Sequence, residues 1–317
     1  MRGILRILVF MGLAAAPALA FGRPPLIYHR VANVVAHPNG TVALHLSMHD
    51  VVIQVKKGDS VTVSTDIWAS AGSDSAKKEI IHRLAPKVST RGDDVVVASP
   101  RHHGWHWSFH WGGGPQARVT VTMPPTMAVK YHLGSGDFTF DNAGAPNRID
   151  GTSGSGDVDV KSASKQLSLR TGSGDVHAAL TGSPVSALLH TGSGDVRFTG
   201  AAESLKIEAG SGDITVHDGA VKNANIHTGS GDIVTHWSKV TAGGSMSATA
   251  GSGDVIMDFP PDTVLGGSIS TGSGDVDSAF PVTVHGSHHD YTLAGGSGAV
   301  QLDIDTGSGD VELRKRG

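Results

Sequence analysis

Residues 166–180 read QLSLRTGSGDVHAAL, and this stretch decides the fold. Leu167 and Leu169 stand five and three places before its first glycine; Val176 and Ala178 stand one and three places after its aspartate. Polar groups such as Arg170 fall between them. Alternation with period two marks a half-buried strand, so the stretch predicts two strands meeting at a glycine turn. The tetrapeptide Gly-Ser-Gly-Asp occurs nine times, beginning at Gly134, Gly154, Gly172, Gly192, Gly210, Gly229, Gly251, Gly272 and Gly307. Its first seven intervals are 20, 18, 20, 18, 19, 22 and 21 residues. A period of this size indicates one supersecondary unit stacked many times. The alternation recurs at Leu205, Ile207, Ile214 and Val216, and again at Leu302, Ile304, Val311 and Leu313; it is poorest where Gly151 takes an inward place.

The turn has its own logic. Both glycines can take the positive φ that a sharp corner demands, and Ser and Asp can accept hydrogen bonds from turn amides. A parallel solenoid with one coil per repeat and an antiparallel meander with hairpin loops both fit the alternation. Equivalent turns stack on each other only in the solenoid, so identical tetrapeptides favour it. The expectation is an all-β, single-stranded β-helix-like solenoid with coils of 18–22 residues and one short helix. Coils about 4.8 Å apart would make a rod on the order of 40 Å long. Gly307 follows the Gly-Ser-Gly-Ala at 296–299 by only 11 residues, too few for a coil, which makes the C-terminus atypical and a candidate cap.

Outside the repeats, the chain begins with Arg2 and Arg6, an apolar run from Ile7 to Ala16, and Ala18-Leu19-Ala20. Residues 1–20 therefore read as a secretory signal, with too short an apolar run for a transmembrane anchor. Losing Arg2 and Arg6 with that segment moves the formal charge from −4 to −6, which argues against nucleic acid as a partner. With no cysteine, disulfides and thiol catalysis are excluded. Glycine supplies 43 of 317 residues and aromatics 5%, so the core must be thin and aliphatic. Residues 21–125 read as diverged first coils and a cap, the alternative being a separate small β domain bounded by Pro124-Pro125; strands are expected at 51–55, 60–64, 95–98 and 119–121. A helix is expected from Ser75, as N-cap, to Leu84, ahead of Pro86. Residues 126–317 form the repeat solenoid.

The run Val-Thr-Met-Pro-Pro-Thr-Met-Ala-Val-Lys-Tyr-His-Leu-Gly-Ser-Gly-Asp at 121–137, followed by recurring Thr-Gly-Ser-Gly-Asp-Val, resembles the putative-adhesin family of bacterial envelope proteins. That family is a domain of unknown function built from β-strand repeats, and the likeness covers roughly residues 40–315. It implies a β-helix-like fold and export, to the periplasm or the cell surface. It brings no catalytic residues.

Two places invite chemistry. The first is the aspartate column: Asp137, Asp157, Asp175, Asp195, Asp213, Asp232, Asp254, Asp275 and Asp310. Carboxylates stacked about 5 Å apart repel by about 1 kcal/mol in a water-like dielectric, so something must compensate. Turn-amide hydrogen bonds are the structural answer, and a divalent cation such as Ca²⁺ is the alternative. The second is RHHGWHWSFHWGGG at 101–114. Its His102, His103, His106 and His110 are candidate metal ligands, and Trp105, Trp107, Phe109 and Trp111 are candidate ligand contacts. His132, His190 and His227 take outward places, and His217 and His236 fall at equivalent places of adjacent repeats. No acid pair beyond the turns, nucleophile elbow or phosphate loop supports an enzyme. The sequence therefore predicts an exported, non-enzymatic binding or scaffold module whose partner is an envelope protein or glycan. The alternative is metal or glycan binding through 101–114.

Overall fold

The computed structural model of the chain describes residues 24–100, 114–141, 146, 148–182, 186–286 and 289–316. The expected signal segment 1–20 and residues 101–113 of the His/Trp stretch lie outside the described residues.

Each repeat is a pair of strands meeting at the glycine turn. Strand Gln166–Ser173 runs parallel between Arg148–Ser155 and Ser186–Ser193, with Leu169 opposite Gly151 on one side and Leu189 on the other. Beyond the turn, Val176–Leu180 runs parallel to Val158–Ser162 and to the start of Val196–Ser211. Every residue near the turn thus faces its equivalent one repeat away. The outcome is an all-β, β-solenoid-like body in which two rows of strands meet at a common corner. Differences in repeat length are absorbed on the far side, where the register shifts between Thr199 and Ala201 and between Val216 and Gly219.

The inward places fill one continuous core, in which Leu167, Leu169, Val176 and Ala178 join their equivalents from other repeats. Removing such aliphatic side chains from water stabilises by about 25 cal/mol per Å². Gly151 proves to be a fitted position. The Tyr131 ring stacks on Phe138 with centroids 3.8 Å apart, and a Cβ at Gly151 would lie 1.9 Å from that ring. The glycine accommodates an aromatic that the preceding repeat carries in place of an aliphatic residue.

The ends depart from chain order. Strand Thr41–Met48 pairs in parallel with both Asp94–Ala98 and Ala128–Ser135, and Asp50–Val55 with both Gln116–Met123 and Phe138–Asp141. Antiparallel strands Ser60–Trp68 and Leu26–Val35 then close that side. The helix α1 spans Asp74–Leu84, and its N-cap is Ser73, whose hydroxyl accepts from the Ala76 amide, rather than Ser75. Asp74 in the first turn suits the helix dipole, which explains the earlier start.

At the other end, Val300–Thr306 enters between the last part of Ile233–Ser252 and Leu265–Thr271. Likewise Val311–Lys315 enters between Val255–Phe259 and Val276–Ser278. The C-terminal segment is an inner layer of the stack rather than a cap over it. Closure falls to Asp290–Ala294, antiparallel to Leu265–Thr271.

Candidate functional site

The corners stack into a regular column. At the first glycine of each turn the backbones approach closely: a Cβ at Gly192 would lie 2.5 Å from the Gly172 carbonyl oxygen. At the second, Gly194 has φ +143, and a Cβ there would lie 2.2 Å from the Gly174 oxygen. Both places therefore exclude any side chain.

The aspartates form a relay from layer to layer. Asp137 Oδ1 accepts from the Asp157 amide at 3.0 Å, Asp157 from Asp175 at 2.9 Å, and Asp175 from Asp195 at 2.9 Å. The series continues through Asp213, Asp232 and Asp254. Asp254 then accepts from the Asp310 amide at 2.8 Å, and Asp310 from Asp275 at 2.9 Å. Each of these carboxylates except that of Asp275, at the end of the relay, meets a backbone donor of the next layer, a charge-assisted bond that offsets repulsion along the column.

Two further participants carry weak sequence signals. Thr191 is buried and donates from Oγ1 to the Gly174 oxygen at 3.0 Å; Thr171, Thr228, Thr271 and Thr306 make equivalent bonds. The recurring Thr before Gly-Ser-Gly-Asp is the signal that identifies them. Ser47-Met48-His49-Asp50 is an unrecognised first corner: Gly134 and Gly136 lie on the Ser47 and His49 carbonyls, and Asp50 Oδ1 accepts from the Asp137 amide at 3.4 Å. Only the aspartate survives there, so a search for glycines passes over it. The side chain of His49 is buried and donates from Nε2 to the Leu84 oxygen at 2.7 Å, tying this corner to the end of α1. Burial holds its pKa below the usual histidine value.

The outward rows are polar. His132 and His227 are exposed, and His190 lies 3.6 Å from Glu208. His217 and His236 stack with ring centroids 5.3 Å apart, and His236 donates from Nδ1 to Asp258 Oδ2 at 2.8 Å. Among the described residues, no three His, Cys, Asp or Glu side chains converge to hold a metal ion. His102, His103, His106, His110, Trp105, Trp107, Phe109 and Trp111 lie outside the described residues. Their flanks are described: strand Asp94–Ala98 precedes them and Gln116–Met123 follows. The Ser47 amide donates to Ser99 Oγ at 3.1 Å, which sets Ser99, two residues ahead of the stretch, beside the first corner. On the far side a cleft of about 380 Å³ is lined by Val240, Pro260, Asp262, Val264 and Val300.

A β-solenoid-like body with stacked glycine corners defines a class of repeat-built, all-β modules. The chain belongs to the Toastrack DUF4097 family, which it matches over residues 41–314. This is the putative-adhesin domain family of unknown function. No curated protein matches the chain. Among solved structures it resembles a "putative lipid binding protein" from Parabacteroides distasonis, with TM-score 0.53, 13% identity, 90% of this chain covered and 96% of that one. It also resembles a "putative adhesin" from the same organism, with TM-score 0.46, 12% identity and 90% and 97% covered. A "putative adhesin" from Bacteroides fragilis matches with TM-score 0.42, 12% identity and 92% and 100% covered. No described helix is long and apolar enough to cross a membrane.

Proposed function

We propose that the chain is an exported, non-enzymatic binding or scaffold module of the cell envelope, adhesin-like in role, working in the periplasm or at the cell surface. Its frame in this reading is a single-stranded β-helix-like solenoid of 18–22-residue coils. The observation that carries the reading is the corner column, where a carboxylate-to-amide bond at every step from Asp50 to Asp275 couples the layers into a stiff body. Outward side chains then stand in straight rows, a surface suited to an extended partner such as an envelope protein or glycan. The basic, apolar and Ala-Leu-Ala segments of residues 1–20 support export.

The test is capture from envelope extract by the chain beginning at Phe21, with and without EDTA. A scaffold retains its partner under both conditions and shows no turnover on a panel of envelope polysaccharides; turnover would overturn the non-enzymatic reading. The second reading, metal or glycan binding through 101–114, is favoured by the four histidines and four aromatics gathered there, in a stretch that Ser99 leads into from beside the first corner. Deleting residues 101–114 abolishes capture under the second reading and leaves it intact under the first.

A further inference from the structure

Several outward histidines lie near carboxylates, but the group on the second row of strands differs from the rest. The His29 to Asp66 pair is partly exposed on both sides, whereas Asp258 is 7% exposed. It lies in register between His236 and Arg314 on neighbouring strands. Arg314 bonds to Glu312 and sets its positive charge beside the carboxylate, yet Asp258 Oδ1 is buried without a hydrogen-bond partner among the described residues. A buried carboxylate oxygen with no donor is costly, and Arg314 offsets this by charge alone, without a hydrogen bond. The bond this carboxylate accepts through Oδ2 holds the His236 ring with Nδ1–H inward, which directs the Nε2 lone pair away from the carboxylate. That arrangement is the usual outer shell of a metal-bound imidazole. His217, exposed and without a hydrogen bond or ion pair among the described residues, stacks beside His236 at 5.3 Å.

We propose that His217 and His236 form a two-imidazole site for a borderline divalent transition ion of the Zn²⁺ or Cu²⁺ type, with Asp258 as the positioning residue behind His236. Neutral imidazole prefers such ions to Ca²⁺ or Mg²⁺. Rotation of the exposed His217 ring brings a second nitrogen to the ion, and water completes the coordination. The ion's charge, delivered through the His236 ring, compensates the unpaired Asp258 oxygen. This site uses no residue of 101–114 and does not depend on the function proposed above.

The experiment is calorimetric titration of Zn²⁺ into the chain carrying His102→Ala, His103→Ala, His106→Ala and His110→Ala, with His132→Ala added to break the in-register pair of His45 and His132. Saturable uptake of one equivalent is expected, with no heat from Ca²⁺. Adding His217→Ala or His236→Ala abolishes the uptake, and adding Asp258→Asn weakens it by about 10–100-fold. His217 is exposed, so its variant retains the fold, and an unchanged circular dichroism melt without metal verifies this. No saturable heat in the parent, or equal heat after His217→Ala, overturns the proposal. Saturating Zn²⁺ should also raise the melting temperature of the parent and not of the His217→Ala variant.

Discussion

The middle of the stack and its two ends use the same strand and the same corner, yet only the middle follows the order of the chain. From Asp137 to Asp254 each turn rests on the one before it in sequence. Beyond Asp254 the next layer is Asp310, and Asp275 comes last. At the other end, the layer of Thr41–Met48 lies inside that of Asp94–Ala98, which the chain makes later. A repeat unit specifies what kind of neighbour it accepts, and an end unit also has an open edge and an uncovered core to close. The protein closes them with layers entering out of chain order and with antiparallel strands along the outside.

The largest effect should come from truncation. Ending the chain at Ala299 removes an inner layer, since Val300–Thr306 is flanked on both sides. The expected result is loss of cooperative unfolding for residues 255–299, seen as early amide exchange; a C-terminal cap would instead fray locally.

Next is the corner itself. Gly194→Ala places a Cβ 2.2 Å from the Gly174 oxygen at φ +143 and should cost more than about 3 kcal/mol in urea unfolding. Gly58→Ala, with nothing within 4 Å, should stay within about 0.5 kcal/mol. Equal costs would mean that the corner backbone relaxes.

The relay offers a sharper contrast. Asp310 accepts from the Asp275 amide, whereas Asp275 Oδ atoms accept from no amide among the described residues. Asp310→Ala should therefore cost about 1–2 kcal/mol and Asp275→Ala close to nothing, measured by the same unfolding curves. The reverse ranking would restore chain order at this end.

His49 probes the first corner through pH. Its folded pKa lies below the unfolded value near 6.5, so the unfolded chain binds more protons as pH falls. The stability it contributes is complete above pH 6.5 and is lost as pH drops towards the folded pKa. Melting temperature should decline across that window, and His49→Gln should flatten the decline. The smallest effect is expected at Tyr131, whose hydroxyl is buried without a partner. Tyr131→Phe should be neutral or stabilising by about 1 kcal/mol, measured by denaturant unfolding.

Much of this was legible in the linear chain. Leu167, Leu169, Val176 and Ala178 lie inward where their alternation puts them, and the resemblance to the putative-adhesin family holds. Gly151 reads as a flaw in one dimension because its reason, the Tyr131 ring, sits a full repeat away. The corner at Ser47–Asp50 keeps only its aspartate, and the pairing of His236 with Asp258 joins residues 22 positions apart on successive layers. Neither relation has a local pattern.

The sequence by itself determined the unit: period-two strands, a glycine corner that stacks on its neighbour, and an aspartate at each step. These follow from residue chemistry within a few bonds. Only the tertiary structure decided which layers touch at the ends, and that the Asp258 carboxylate is buried behind His236. Those outcomes depend on covering open edges and burying side chains, which are properties of the whole stack rather than of any repeat within it.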